Sequence, residues 1–228
     1  MQRMEMILGS KPALLLEHQA GIFTLAAVAV LLSGLAYSRK RRISTLMLVH
    51  IGCLLAVTVI LHTFRLFHLP QGGSITPGGM IPLLLIAFRY GPAGGYLAGF
   101  AYGMINLIQD PYLLHPVQLL LDYPLPYMAL GLAGYFRNRM YLGAAAGILG
   151  RFACHFISGA VFFASYAPPG VSPYWYSLSF NAAYLGPELA ICLIILRVLP
   201  VQRILLQMGV KAALQTGPVE APMPRQKN

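Results

Sequence analysis

Acidic side chains are scarce in this 228-residue sequence, six in all, and only Asp110, Asp122 and Glu188 fall between its first and last long apolar runs. An ionisable group at membrane depth costs at least about 2.5–3.5 kcal/mol on insertion scales, so one that is kept there serves a partner or a pathway. Asp122, in Leu121-Asp122-Tyr123-Pro124, is the most informative. No Lys or Arg of its own helix is near enough to pair with it, which leaves a basic group on another helix or a cationic ligand. Farther along, His155, Ser158, Phe162 and Phe163 precede Tyr166, Tyr174, Trp175 and Tyr176, and Asn181 and Tyr184 follow. An interfacial aromatic belt accounts for Tyr174 and Trp175, and His155 taken alone reads as a satisfied core histidine. Asn181 is harder to dismiss, because an amide inside a span must find hydrogen bonds. Together these residues outline a pocket with aromatic walls and one carboxylate, suited to a small, flat, positively charged heteroaromatic molecule. Each aromatic face attracts a desolvated cation by about 0.5–2 kcal/mol.

Arg151 and Glu188 require a separate account. Arg151 lies four residues inward of His155, and Glu188 seven residues inward of Asn181, depths that differ by about 4 Å on neighbouring helices. The expectation is a buried ion pair beneath the pocket, with a proton-relay role for Glu188 as the competing reading. An enzyme is disfavoured: Asp122 and His155 could be acid and base, but no nucleophile or metal-ligand cluster accompanies them. Cys53, Cys154 and Cys192 fall within spans without metal or disulfide spacing and read as packing residues. No cofactor is implied.

The elements that must position these groups are membrane helices. Composition is 57% hydrophobic and 10% charged, against about a quarter charged in soluble domains. The net charge of +10 could suggest nucleic acid, but the basic residues occupy short breaks between apolar runs, the distribution of a multi-spanning protein facing an anionic leaflet. Apolar segments lie at 20–38, 44–64, 79–90, 93–108, 116–136, 141–165 and 176–199. The third and fourth are short for a bilayer core of about 30 Å. Arg39, Lys40, Arg41, Arg42, Arg89, Arg137, Arg139, Arg197, Arg203, Lys211, Arg225 and Lys227 fall on one side, twelve of the sixteen cations, which predicts a cytoplasmic C-terminus and, with seven spans, an external N-terminus. The first run could be a cleaved signal peptide; the basic cluster after it and the lack of a small-x-small site favour a retained anchor. The stretch 215–228 reads as a disordered tail.

Small residues mark where helices meet. Gly91, Gly95, Gly99 and Gly103 recur every four residues, which predicts a tightly packed helix pair. Gly52-x-x-x-Ala56 offers a second smooth surface, for packing within the chain or against another membrane subunit. The glycine-rich stretch Gln71 to Gly79, external in this topology, is a candidate lid.

The runs Gly72-Gly73-Ser74-Ile75-Thr76-Pro77-Gly78-Gly79-Met80-Ile81-Pro82, His115-Pro116-Val117-Gln118-Leu119-Leu120-Leu121-Asp122-Tyr123 and His155-Phe156-Ile157-Ser158-Gly159 resemble the thiamine-specific substrate-binding component of energy-coupling-factor vitamin transporters, over about residues 44–200. The resemblance implies an all-α integral membrane protein, a six-helix bundle binding thiamine from outside, coupled to one membrane subunit and two cytoplasmic ATPases. It implies that Asp122 and Tyr112 contact the aminopyrimidine, that His155 and Phe163 sandwich the thiazolium, and that Tyr176 and Asn181 hold the pyrimidine end, with Gln118 and Tyr123 of the second run among the substrate contacts. Gly52 and Ala56 correspond to the docking surface for the coupling subunit. Three departures stand out: Asp122 is a methylene shorter than a glutamate found in some members, Phe163 lacks an indole N–H, and no tryptophan stands in the 65–79 loop. The expected organisation is an extra N-terminal transmembrane helix and basic linker at 1–43, the membrane domain at 44–200, and a cytoplasmic tail at 201–228. The alternatives are a solitary proton-coupled thiamine carrier, or a binding component for another vitamin. The chain itself has no G-x-x-x-x-G-K-[ST] loop for ATP.

Overall fold

The computed structural model describes residue 22 and residues 25–39, 43–69 and 72–215, with side chains through residue 209. The basic residues Lys40–Arg42, the chain before residue 22 and the tail from 216 that the composition reads as disordered lie outside the described residues. Helix α1 covers Leu25–Arg39 and α2 Thr45–Thr63; a two-stranded antiparallel hairpin pairs Phe67–His68 (β1) with Ser74–Ile75 (β2). There follow α3 (Ile81–Tyr90), α4 (Pro92–Gln109), α5 (Pro116–Asp122), α6 (Pro124–Ala129), a 3-10 helix (Leu130–Phe136), α7 (Met140–Phe162), α8 (Pro173–Val198) and α9 (Val201–Gln215). Prolines open α4, α5, α6 and α8, where the missing N–H costs no helical bond and the fixed φ is already helical. Among the described residues α2, α7 and α8 are long and apolar enough to cross a membrane. The protein is an all-α membrane protein, with one small hairpin among the described residues.

The shortest apolar run lies at the centre. Every residue of α3 from Ile81 to Phe88 is buried, so the helix is apolar all round because protein surrounds it. Ten residues make about 15 Å of helix, half a bilayer core. The other half is traversed by the glycine-rich segment before it, which enters the bundle along α8. A Cβ on Gly73 would strike the Tyr184 ring, the Thr76 N–H donates to Glu188 Oε1, and a Cβ on Gly78 would strike Ile195. From Tyr184 to Ile195 is about 16 Å of helix, and from Gly73 to Gly78 about 16 Å of extended chain. Gly78 is required twice over: its φ is +87°, and no side chain fits between it and α8. Non-helical backbone at membrane depth is stable only when buried in protein, and Thr76 is 1% exposed.

The expected single span at 116–136 is three pieces, and the correction has a local cause. Pro124 and Pro126 each lack an amide donor, and proline disfavours the α conformation in the residue before it. Asp122 therefore ends α5, and Tyr123 turns into α6 with φ −115° and ψ −78°. This broken rod is backed by α4, whose glycine stripe lies against its backbone: a Cβ on Gly95 would meet Gly131, on Gly99 the Tyr127 carbonyl, and on Gly103 the Tyr123 carbonyl. At the opposite end α9 extends the packed body past residue 200, with Val201 in the main core and Gly209 beside the Arg89 guanidinium. The outer face of α2 remains open: Gly52 and Ala56 are exposed, and nothing lies within 4 Å of a Cβ built on Gly52.

Gly99→Val should destabilise the detergent-solubilised protein by about 1–3 kcal/mol or more, because the obstacle is backbone that cannot rotate away. Gly52→Ala should stay within about 0.5 kcal/mol. Thermal unfolding of the two variants beside the parent checks both, and equal losses would contradict the assigned packing.

Candidate functional site

Helices α2, α4, α5, α6, α7 and α8 and the β-hairpin enclose a cavity of about 230 Å³. All eight residues expected at a pocket from sequence, Tyr112, Gln118, Asp122, Tyr123, His155, Phe163, Tyr176 and Asn181, line it. Gly72, Gly73 and Ser74 line it as well, which puts the glycine-rich segment in its wall. Tyr176, Phe180 and Tyr184 stand four residues apart on α8 and share the cavity face, as do Arg151, His155 and Gly159 on α7.

Asp122 is held on two sides. Gln118 Nε2 donates to Oδ2 at 2.6 Å, and His155 Nδ1 lies 3.2 Å from Oδ1. The Arg151 Nε–H donates to His155 Nε2 at 3.4 Å, so Nε2 must carry a lone pair and the imidazole proton sits on Nδ1, directed at the carboxylate. The histidine is then neutral and presents its ring, with its Nδ1–H directed at the Asp122 carboxyl group. The Arg151 guanidinium lies over the Tyr127 ring, 4.3 Å from its centre, and donates to the Tyr127 hydroxyl at 3.3 Å, which in turn donates to Asn106 Oδ1 at 3.2 Å.

Gln118 and Tyr123 face the cavity but spend their polar atoms on the loop above it. Gln118, 1% exposed, also donates to the Tyr112 carbonyl and accepts from the Leu114 N–H. The Tyr123 hydroxyl accepts from the Tyr112 N–H at 2.7 Å and donates to the Asp110 carbonyl at 2.8 Å. Tyr112 is thereby presented at the mouth, where its ring stacks on Phe163 at 5.6 Å and its hydroxyl meets that of Tyr166 at 2.7 Å. Asn181 ties α8 to α7, donating to the carbonyls of Ser177 and His155 and accepting from the Tyr184 hydroxyl. Across the mouth Arg65 pairs with Asp110 at 2.6 Å, their side chains 33% and 46% exposed.

The expected Arg151–Glu188 ion pair does not form: no oxygen of Glu188 lies within ion-pair distance of Arg151. The arginine is taken by Tyr127 and His155, while Glu188 accepts the Thr76 N–H and leaves Oε2 buried without a partner. Depth along two helices placed the pair at compatible heights, but the glycine-rich segment fills the space at Glu188. The cavity also has residues that the sequence reading passed over, His62, Asn106, Tyr127 and Phe180. Phe180 was detectable four residues from Tyr176 and Tyr184; Tyr127 and Asn106 had no signal apart from being polar-tipped groups in apolar runs.

Comparison with known proteins decides the family. The family described as Thiamine transporter protein (Thia_YuaJ) matches residues 48–208. The chain belongs to this family. Within it, the Thiamine transporter ThiT of Bacillus subtilis is 38% identical over 168 residues, which is 65% of this chain and 87% of that protein. The Thiamine transporter ThiT of Lacticaseibacillus paracasei is 31% identical over 123 residues, 45% of this chain and 61% of that protein. A solved structure of ThiT from Listeria monocytogenes shares the fold with a TM-score of 0.59 at 22% identity, covering 74% of this chain and 96% of that one. Family members are transporters, so the chain is a multi-pass transport protein and not an enzyme. Helix α1 precedes the part of the chain that the family match covers.

If Glu188 acts by holding the Thr76 N–H, Glu188→Gln, which keeps an acceptor, should remain within about 1 kcal/mol of the parent, whereas Glu188→Leu should lose about 1.5–3 kcal/mol. Unfolding in detergent reads both. Rescue of Arg151→Met by Glu188→Gln would instead restore the ion-pair reading.

Proposed function

We propose that this chain is the thiamine-binding membrane subunit of an ATP-driven importer of the energy-coupling-factor type, taking its cargo from the outside. The observation that carries the reading is Asp122: a carboxyl group oriented by Gln118 and a neutral His155, in the wall of a cavity lined by aromatic rings. Thiamine combines a fixed thiazolium charge with an aminopyrimidine. The carboxylate suits the N–H donors of the amino group, and the rings of Tyr112, His155, Phe163 and Tyr176 suit the cation. Asn181 and Tyr184 complete the wall. The sequence has no nucleotide-binding loop, which is consistent with ATP hydrolysis by partner ATPases, and the open α2 face at Gly52 and Ala56 supports docking of a membrane coupling subunit there. The protein resides in the cell membrane with its C-terminus on the cytoplasmic side, following the distribution of Lys and Arg. A solitary proton-coupled carrier would need a carboxylate reached by water from the cavity. Glu188, its candidate, is 1% exposed and does not line the cavity, which supports the coupled reading.

Equilibrium binding of labelled thiamine to the purified chain should saturate, and absence of saturable binding at micromolar concentration would end this reading. Asp122→Asn keeps size and removes charge, and should weaken binding at least tenfold, about 1.4 kcal/mol; unchanged affinity would make Asp122 structural. In a host without the coupling module the chain should bind thiamine without sustained accumulation. Concentrative uptake there would favour the solitary carrier.

A further inference from the structure

Helix α1 lies against the element that carries Asp122. Its non-exposed positions, Ala27, Val28, Leu31, Gly34, Leu35, Tyr37 and Ser38, are chiefly those of a packed helix stripe, spaced by three and four residues. Leu25, Val30 and Leu32 on the other side are 58–74% exposed. Ala27 and Leu31 join Val117 and Leu121 of α5, Leu125 of α6 and Cys154 of α7 in one apolar cluster. Lower down, a Cβ on Gly34 would sit 2.8 Å from the Met128 terminal methyl, and the Tyr37 ring meets the Tyr96 ring edge-on at 6.1 Å. At the end of the helix Ser38 Oγ donates to the Ala93 carbonyl at 3.0 Å, a buried bond between α1 and the start of α4.

α1 thus runs the length of the α5–α6 rod, from Val117 above the break to Met128 below it. That rod is not continuous. It is interrupted next to Asp122, two prolines remove backbone donors, and neither piece exceeds seven residues. Broken backbone at membrane depth needs protein around it. The α4 glycines cover one side and α7 another, and α1 lies along a further side.

We propose that α1 is a brace that holds the α5–α6 break in register, so that the position of Asp122, and with it retention of thiamine, depends on a helix outside the matched family region. This rests on the thiamine-binding reading above. Gly34, Ser38 and Met128 are positioning residues: none lines the cavity.

The test uses the full-length protein in detergent with two measurements, the rate of labelled thiamine release and the rate at which Cys154 is alkylated by N-ethylmaleimide, read by peptide mass spectrometry. Gly34→Leu forces a branched side chain into Met128. It should speed release at least tenfold and alkylation at least fivefold, while Val30→Leu on the exposed face leaves both within twofold. Met128→Ala added to Gly34→Leu should recover most of the change, an outcome that general destabilisation does not give. If Gly34→Leu cannot be purified folded, Ser38→Ala, which removes only the bond to Ala93, should speed release at least threefold. Unchanged alkylation in Gly34→Leu would overturn the docking of α1. Faster alkylation with unchanged release, or unchanged release in Ser38→Ala, would overturn the brace. If the parent chain fails to bind thiamine, the functional proposal falls instead, and with it the link to retention, while alkylation still reports whether α1 packs on this rod.

Discussion

The structure depends on burying backbone that is not helical. A bilayer offers no water to unpaired amides and carbonyls, so each interruption of a helix must be enclosed by other parts of the chain. Two interruptions matter: the glycine-rich segment leading into α3, and the break between α5 and α6. The first is seated on α8 through the Thr76–Glu188 hydrogen bond and glycines that admit close approach. The second is enclosed by the α4 glycine stripe, α7 and α1. Both interruptions border the cavity, because irregular backbone bends the chain toward the space where helical rods would have packed side by side. The pocket follows from how the breaks are shielded.

Charge inside the pocket is arranged by a short relay of neighbours. Arg151 lines the cavity together with His155; its guanidinium lies over the Tyr127 ring and its Nε–H is given to His155. His155 is thereby kept in one tautomer and passes a hydrogen bond, without a full positive charge, to Asp122. The carboxylate remains the group that a ligand would meet. Gln118 secures its other oxygen and anchors the loop that carries Tyr112, so the acidic group and the aromatic mouth share one support.

Much of this was legible in the sequence because scarcity is informative in an apolar chain. Asp122 and Asn181 stood out by their cost, His155 only in company with them, and the α4 glycines by their period. The spans were found within a few residues, since runs of apolar side chains mark helices whether lipid or protein surrounds them. The shortness of the 79–90 run pointed to a segment supported by its neighbours rather than by lipid along its whole length, and α3 is surrounded by protein; what its apolar run left out is the glycine-rich segment that precedes it along α8. The Arg151–Glu188 pairing failed because helical rise gives height but not azimuth, and a third element, Thr76, occupied the place. The break at Tyr123 was written in Pro124 and Pro126, two signals outweighed by the hydrophobicity around them. Tyr127 was undetectable because its role arises from a cation on another helix.

The two ends of the cavity answer differently to ionic strength. At the mouth, the Arg65–Asp110 pair is a third to a half exposed, within reach of dissolved ions that screen over about 8 Å under physiological conditions. At the floor, Arg151 and Tyr127 are buried and largely beyond such screening. Added salt therefore weakens the Arg65–Asp110 attraction at the entrance while leaving the Arg151–Tyr127 contact at the floor largely unchanged.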